Sequence, residues 1–163
     1  MRETVITRDG LERLSAELAR LSTEGRWGIA ERLRHAAASE ANPLENADYR
    51  AVLEDQVLLE RRIATLEARL RSAELVEPQP GNGRIDVGEW VRLRDLQSNE
   101  RFEVELVGPH ESDPATGRIS TASPLGSAIL GLRRGQIAEV DAPGGKLRYK
   151  VLAVEARPRS RAA

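Results

Sequence analysis

A chain of 163 residues, 40% hydrophobic and 31% charged, has the composition of a folded protein and room for one ordinary domain or two small ones. Its net charge is −1, with 12 Arg against 14 acidic residues in 1–76 and 13 basic against 12 acidic in 77–163, so neither half grips a phosphate backbone by net charge. Cysteine is absent, which excludes disulfides, thiolate metal sites and cysteine nucleophiles, and the two histidines, His35 and His110, are too far apart for a zinc motif. No apolar run approaches the length of a membrane span, and Met1–Thr7 lacks the apolar core of a secretion signal, so a cytoplasmic chain without a membrane partner is expected.

The first predicted element is an amphipathic helix. Leu11, Leu14, Leu18 and Leu21 form one stripe that resumes at Ile29, Leu33 and Ala37, with Thr7 as its N-cap. Gly25, Trp27 and Gly28 interrupt the stripe, leaving a kinked helix and two separate helices both open. Next comes a short connection around Asn42-Pro43-Leu44-Glu45-Asn46-Ala47-Asp48-Tyr49, the expected tip of an antiparallel hairpin. The second helix carries Val52, Gln56, Leu59, Ile63, Leu66, Leu70 and Ala73 at alternating steps of four and three, a heptad seam running for about 30 residues, or roughly 45 Å. Gln56 is expected to fix register within that seam, and Tyr49 to pack on the partner helix.

Glu77-Pro78-Gln79-Pro80-Gly81-Asn82-Gly83 suits neither helix nor strand and marks a linker. Beyond it the period falls to two, with strands expected at 90–96, 102–107, 136–140 and 147–154, a short helix from Pro124 to Leu130, and a hairpin turn at Ala142-Pro143-Gly144-Gly145. Trp90, Phe102 and Tyr149 are too few to line an aromatic cleft and are assigned to the core. The fold class is therefore α+β: an N-terminal antiparallel coiled-coil hairpin, then a small antiparallel β-sheet domain with one short helix. The expected domains are a finger over 1–76, a linker over 77–84, a β-rich domain over 85–157 and a frayed tail over 158–163. The hairpin is expected to close on itself, giving a monomer.

Taken together and in order, Thr7-Arg8-Asp9-Gly10-Leu11 with Leu14 and Leu18, Glu45-Asn46-Ala47-Asp48-Tyr49, Asn82-Gly83, Ser123-Pro124-Leu125 and Ala142-Pro143-Gly144-Gly145 resemble the bacterial Gre transcript cleavage factors over nearly the whole chain. The resemblance implies an FKBP-like C-terminal domain that docks at the rim of the secondary channel of RNA polymerase, with Ser123, Pro124 and Leu125 as rim contacts. It also implies a finger that enters the channel and brings Asn42, Pro43, Leu44, Glu45, Asn46 and Asp48 to the polymerase active site, near the RNA 3′ end. In that family an Asp and a Glu three residues apart at the tip help to hold a second Mg²⁺, and the polymerase itself hydrolyses the RNA. The factor is then an accessory without catalytic residues of its own or a stably bound cofactor, sharing at most the Mg²⁺ of the polymerase.

At this tip the pattern is broken. Glu45 matches the family Glu, but Asn42 stands at the Asp position, Ala41 replaces the usual Gly, and Ala38 and Leu44 replace residues that are commonly basic or polar. An amide oxygen brings no negative charge to a hard cation. The resemblance with this change implies a regulator of elongation or initiation with little or no stimulation of cleavage. The alternative is an active cleavage factor in which Glu45 works with Glu40 or Asp48. Asn42-Pro43-Leu44-Glu45 also fits a capping box opening the second helix, with Asn as N-cap, Pro at the first position and Glu at the third. Two further classes stay open: a prolyl isomerase or chaperone, which the lack of an aromatic pocket disfavours, and a coiled-coil adaptor that oligomerises through its seam.

Overall fold

The computed structural model describes residues 5–38, 46–77, 82–143 and 145–155. They form two compact units, one of Leu11–Ser72 and one that joins the residues up to Gly10 with those from Ala73 onward. The architecture is α+β: a long helical hairpin, then a five-stranded sheet carrying one short helix.

The first helix runs without a break. α1 (Arg8–Arg20) passes through a π-helical turn at Leu21–Gly25 into α2 (Arg26–Ala38), and the N–H of Arg26 donates to the carbonyl of Leu21, five residues back. The reason lies in the stripe: Leu21, Gly25, Ile29 and Leu33 follow in three steps of four. In an α-helix such steps drift about 120° beyond three whole turns, and the one residue absorbed by a π turn removes about 100° of that. Thr23 Oγ1 bonds the Ala19 carbonyl at 2.8 Å within the same stretch. Gly25 lies against α3 (Ala47–Ser72), where a Cβ would come within 3.1 Å of Leu59 Cδ1.

α3 buries Val52, Ile63 and Leu66 along its expected seam. Gln56 is a correction, since it is exposed at the rim of the hairpin and fixes no buried register. Three ion pairs stitch α3 to the first helix: Arg26 to Glu60, Arg32 to Asp55 and Arg62 to Glu17, each at 2.7–2.8 Å. The helix spans 26 residues rather than about 30 because it opens at Ala47 and closes at Ser72, leaving Ala73 outside.

The sheet has the order β5-β4-β3-β7-β6, from β3 (Trp90–Asp95), β4 (Arg101–Val107), β5 (Arg118–Ser120), β6 (Ile137–Ala142) and β7 (Gly145–Glu155). All pairings are antiparallel except β4 with β5, so the expected antiparallel sheet is mixed at one edge. β6 and β7 pair down to Ala142 opposite Gly145, as the turn signal requires. A bulge at Leu152 shifts the β3–β7 register between Arg92 and Leu93. One face of the sheet holds the core, with Val91, Leu93, Val104, Leu106, Ala138 and Val151 buried beneath Ile85 and Ile129. Phe102 and Tyr149 meet edge to face there at 5.7 Å. Ile129 comes from α4 (Pro124–Ile129). A separate two-residue parallel pairing joins β1 (Val5–Ile6) to β2 (Glu74–Leu75).

Candidate functional site

The hairpin brings its candidate site residues to the connection between Ala38 and Ala47. Glu40, Asn42, Pro43, Leu44 and Glu45 lie outside the described residues. Asn46 is buried and caps α3: its Oδ1 accepts from the N–H of Asp48 at 2.8 Å and of Tyr49 at 3.4 Å. Its Nδ2 donates to the Ala36 carbonyl at 3.0 Å, so one side chain satisfies the start of α3 and ties it to the last turn of α2. α3 thus opens four residues later than a capping box at Asn42–Glu45 requires, which corrects that assignment. Asp48 is exposed in the first turn of α3, where its charge suits the helix dipole, and Tyr49 is half-buried.

Lower on the hairpin, Arg26 donates from two nitrogens to both oxygens of Glu60, each at 2.8 Å. These hydrogen bonds hold the Glu60 carboxyl below its ordinary range. Beside them Ile29, Ala30, Leu33, Gln56 and Leu59 line a shallow groove of about 180 Å³, below the size of a small-molecule pocket. Among the described residues no group of three or more His, Asp or Glu side chains is placed to hold a metal, and no helix is long and apolar enough to cross a membrane.

In the second unit Ser123, Pro124 and Leu125 are brought together at the start of α4. Ser123 is the N-cap: its Oγ accepts from the Gly126 N–H at 3.0 Å and donates to the Ser120 carbonyl at 2.7 Å. Pro124 fills the first helical position and is exposed, while Leu125 packs against the core. A Cβ at Gly126 would collide with the Ser120 carbonyl, so glycine alone permits this close approach. The three residues therefore divide their work, and Pro124 is the exposed one.

Two buried carboxylates escaped the sequence reading. Glu111 accepts from the Thr7 N–H at 2.9 Å, the Gly108 N–H at 3.1 Å and the Thr7 hydroxyl. Thr7 Oγ1 in turn accepts from the Gly10 N–H at 3.0 Å, which makes it the expected cap of α1. Glu89 accepts from the Asp86 N–H at 2.9 Å, and burial pushes its carboxyl above the usual range. The pairing of Glu111 with Thr7 has no local signal, since the two are 104 positions apart.

Residues 4–75 match the family model described as transcription elongation factor, N-terminal, and residues 79–156 the model described as transcription elongation factor, GreA/GreB, C-terminal. The chain is 36% identical over 155 residues to transcription elongation factor GreA of Thermotoga sp. strain RQ2, covering 94% of this chain and 98% of that protein. It is 38% identical over 152 residues to GreA of Ralstonia nicotianae, covering 92% and 96%. Among solved structures it is similar to GreA factor homolog 1 of Thermus thermophilus, at 33% identity, 94% and 99% coverage and a TM-score of 0.41.

Proposed function

The chain belongs to the GreA/GreB family of transcription elongation factors, and from that premise we propose that it binds RNA polymerase at the secondary channel and modulates elongation or initiation with little or no stimulation of transcript cleavage. It acts as an accessory factor, monomeric when free, whose β-rich unit holds the channel rim through the exposed Pro124 at the start of α4. Its finger carries the connection between α2 and α3 toward the polymerase active site and, indirectly, the RNA 3′ end. Any RNA hydrolysis belongs to the polymerase.

The observation that carries the cleavage-deficient reading is Asn42. A second Mg²⁺ beside the one the polymerase holds needs anionic oxygen ligands to offset repulsion between two dications. This tip offers Glu45 at a matching position and a neutral amide at the other, a donor set that fits such a metal poorly. What the finger supplies is occupancy of the channel.

The start of α3 at Ala47 with Asn46 as its cap supports a second reading, an active factor using Glu45 with Glu40 or Asp48, because Glu45 then precedes the helix in sequence. A cleavage assay on backtracked complexes separates the two. The parent chain is expected to release no 3′ RNA fragments and the Asn42→Asp variant to release them. Release by the parent at the level of an active factor, abolished by Glu45→Ala with polymerase binding intact, overturns the first reading in favour of the second.

A further inference from the structure

The face of the sheet opposite the core carries a row of cations in register. Arg94 in β3 lies directly opposite Arg101 in β4 and Lys150 in β7, and Lys150 lies opposite Ile137 in β6. Alternation fixes the side: Val91, Leu93, Val104 and Val151 point into the core, so Arg94, Arg101 and Lys150 point away from it. With strands about 4.8 Å apart, the three charges span roughly 10 Å. The other basic residues of this face lie beside carboxylates, Arg92 at 2.6 Å from Glu103, and Arg148 and Lys146 sharing Glu139 at 3.4 and 3.9 Å. Arg94, Arg101 and Lys150 have no carboxylate at ion-pair distance among the described residues, and Arg94 Nε is buried without a hydrogen-bond acceptor.

Like charges placed directly across a sheet destabilise it. Here Arg94 has such a neighbour on both sides, on strands whose other cations lie beside carboxylates. A row of this kind is stabilised by an external anion. Arg offers a planar fork suited to a carboxylate or a phosphate, so the surroundings decide between them. Glu103, Glu139, Asp141 and Glu155 stand on the same face, and a phosphate backbone crossing it would meet them. Ile137, 41% exposed at the end of the row, adds an apolar contact. We infer that this face docks a short acidic protein segment, two or three Asp or Glu side chains next to an aliphatic one, on the surface of RNA polymerase. It is a second contact, separate in sequence from Ser123-Pro124-Leu125, and it rests on the polymerase-binding reading above.

The test is binding of the full-length chain to RNA polymerase core enzyme at low and high salt. Replacing Arg94, Arg101 and Lys150 together by Gln is expected to weaken binding about tenfold at low salt, from three pairs worth up to about 1 kcal/mol each, with the difference shrinking as salt rises. The melting temperature should hold or rise, because cross-strand repulsion is gone. Arg92→Gln, which removes an already paired cation, should stay within about twofold. Should the triple variant lose stability, Arg101→Gln alone, at an exposed position, carries the same comparison. Equal affinity and equal salt response of variant and parent overturn this inference while leaving polymerase binding standing. A parent that does not bind the polymerase overturns both. A photo-crosslinking side chain at Ile137 should join a polymerase peptide containing Asp or Glu, and attachment to RNA, DNA or a peptide without carboxylates overturns the assignment.

Discussion

Truncating Glu111 tests whether one carboxylate, far in sequence from its partner, holds the N-terminal segment in place. Glu111→Ala removes the acceptor for the N–H groups of Thr7 and Gly108 and for the Thr7 hydroxyl, all buried. An orphaned buried donor costs about 1–3 kcal/mol, so three set an upper range of about 3–9 kcal/mol. Two effects reduce it. Water entering the space left by the carboxylate re-bonds part of the loss, and the cost of burying an ion disappears with the ion. A net loss of about 2–4 kcal/mol is expected. Glu111→Gln keeps one acceptor oxygen and turns an NH2 toward the remaining donors, so it should cost roughly half as much. The chain provides a local probe, since Trp90 lies in β3 and the other tryptophan, Trp27, is exposed on α2. Denaturant unfolding of the Trp27→Phe background, followed by Trp90 fluorescence, isolates the sheet unit without assuming that both units melt together. A change below about 0.5 kcal/mol in that transition would refute the reasoning, because surface substitutions alone reach that size.

Two other predictions concern the hairpin and the second buried carboxylate. Asn46→Ala should cost about 1–2 kcal/mol through loss of the cap and should accelerate hydrogen exchange in the first turn of α3. Asn46→Asp should recover the cap but not the bond to the Ala36 carbonyl, so equal exchange in the two variants would remove the cap from the explanation. For Glu89 burial raises the carboxyl above its unfolded value, so the native state binds more protons than the unfolded chain between the two. Its contribution is most favourable below the unfolded value and is lost as pH rises through the folded one. Glu89→Gln, whose amide oxygen can still accept from Asp86, should therefore raise stability at neutral pH and flatten the decline just above the ordinary carboxylate range. Melting curves across that window check the sign.

Much of this architecture was legible because it repeats. Val52, Ile63 and Leu66 sit on the seam that the heptad steps mark, and the long strands β3, β4 and β7 alternate over enough residues to show their period. Thr7 and Ser123 announced helix starts because a capping side chain bonds only two or three residues ahead. What stayed hidden is short or distant. β1 and β2 have two residues each and β5 three, too few for any period, and parallel pairing leaves no hairpin turn to point at it. The π turn was visible only as three steps of four around a glycine. At the tip the cap of α3 is Asn46, whose side chain also bonds the Ala36 carbonyl across the hairpin, a long-range gain that the local pattern of the sequence does not display. The cation row needed register as well as alternation, since Arg94, Arg101 and Lys150 lie on three strands.

The hairpin itself is thinly held, and that bears on what its tip can do. α2 buries no residue, α3 buries three of its 26, and the side chains of the interhelical ion pairs are 31–54% exposed. Exposed pairs of this kind contribute about 0–1 kcal/mol each, so they set register more than they add stability. Near the connection the Asn46 side chain bonds the Ala36 carbonyl and so joins α3 to α2. A finger that must hold a metal in fixed geometry needs its donors placed within about 0.5 Å. A finger that only has to fill a channel needs length and a closed hairpin, and the Asn46 bond to Ala36 helps to close this one beside its connection. The proposal of occupancy over metal delivery therefore rests on the neutral amide of Asn42, and the Asn46 bond, which closes the hairpin in either case, does not decide between them.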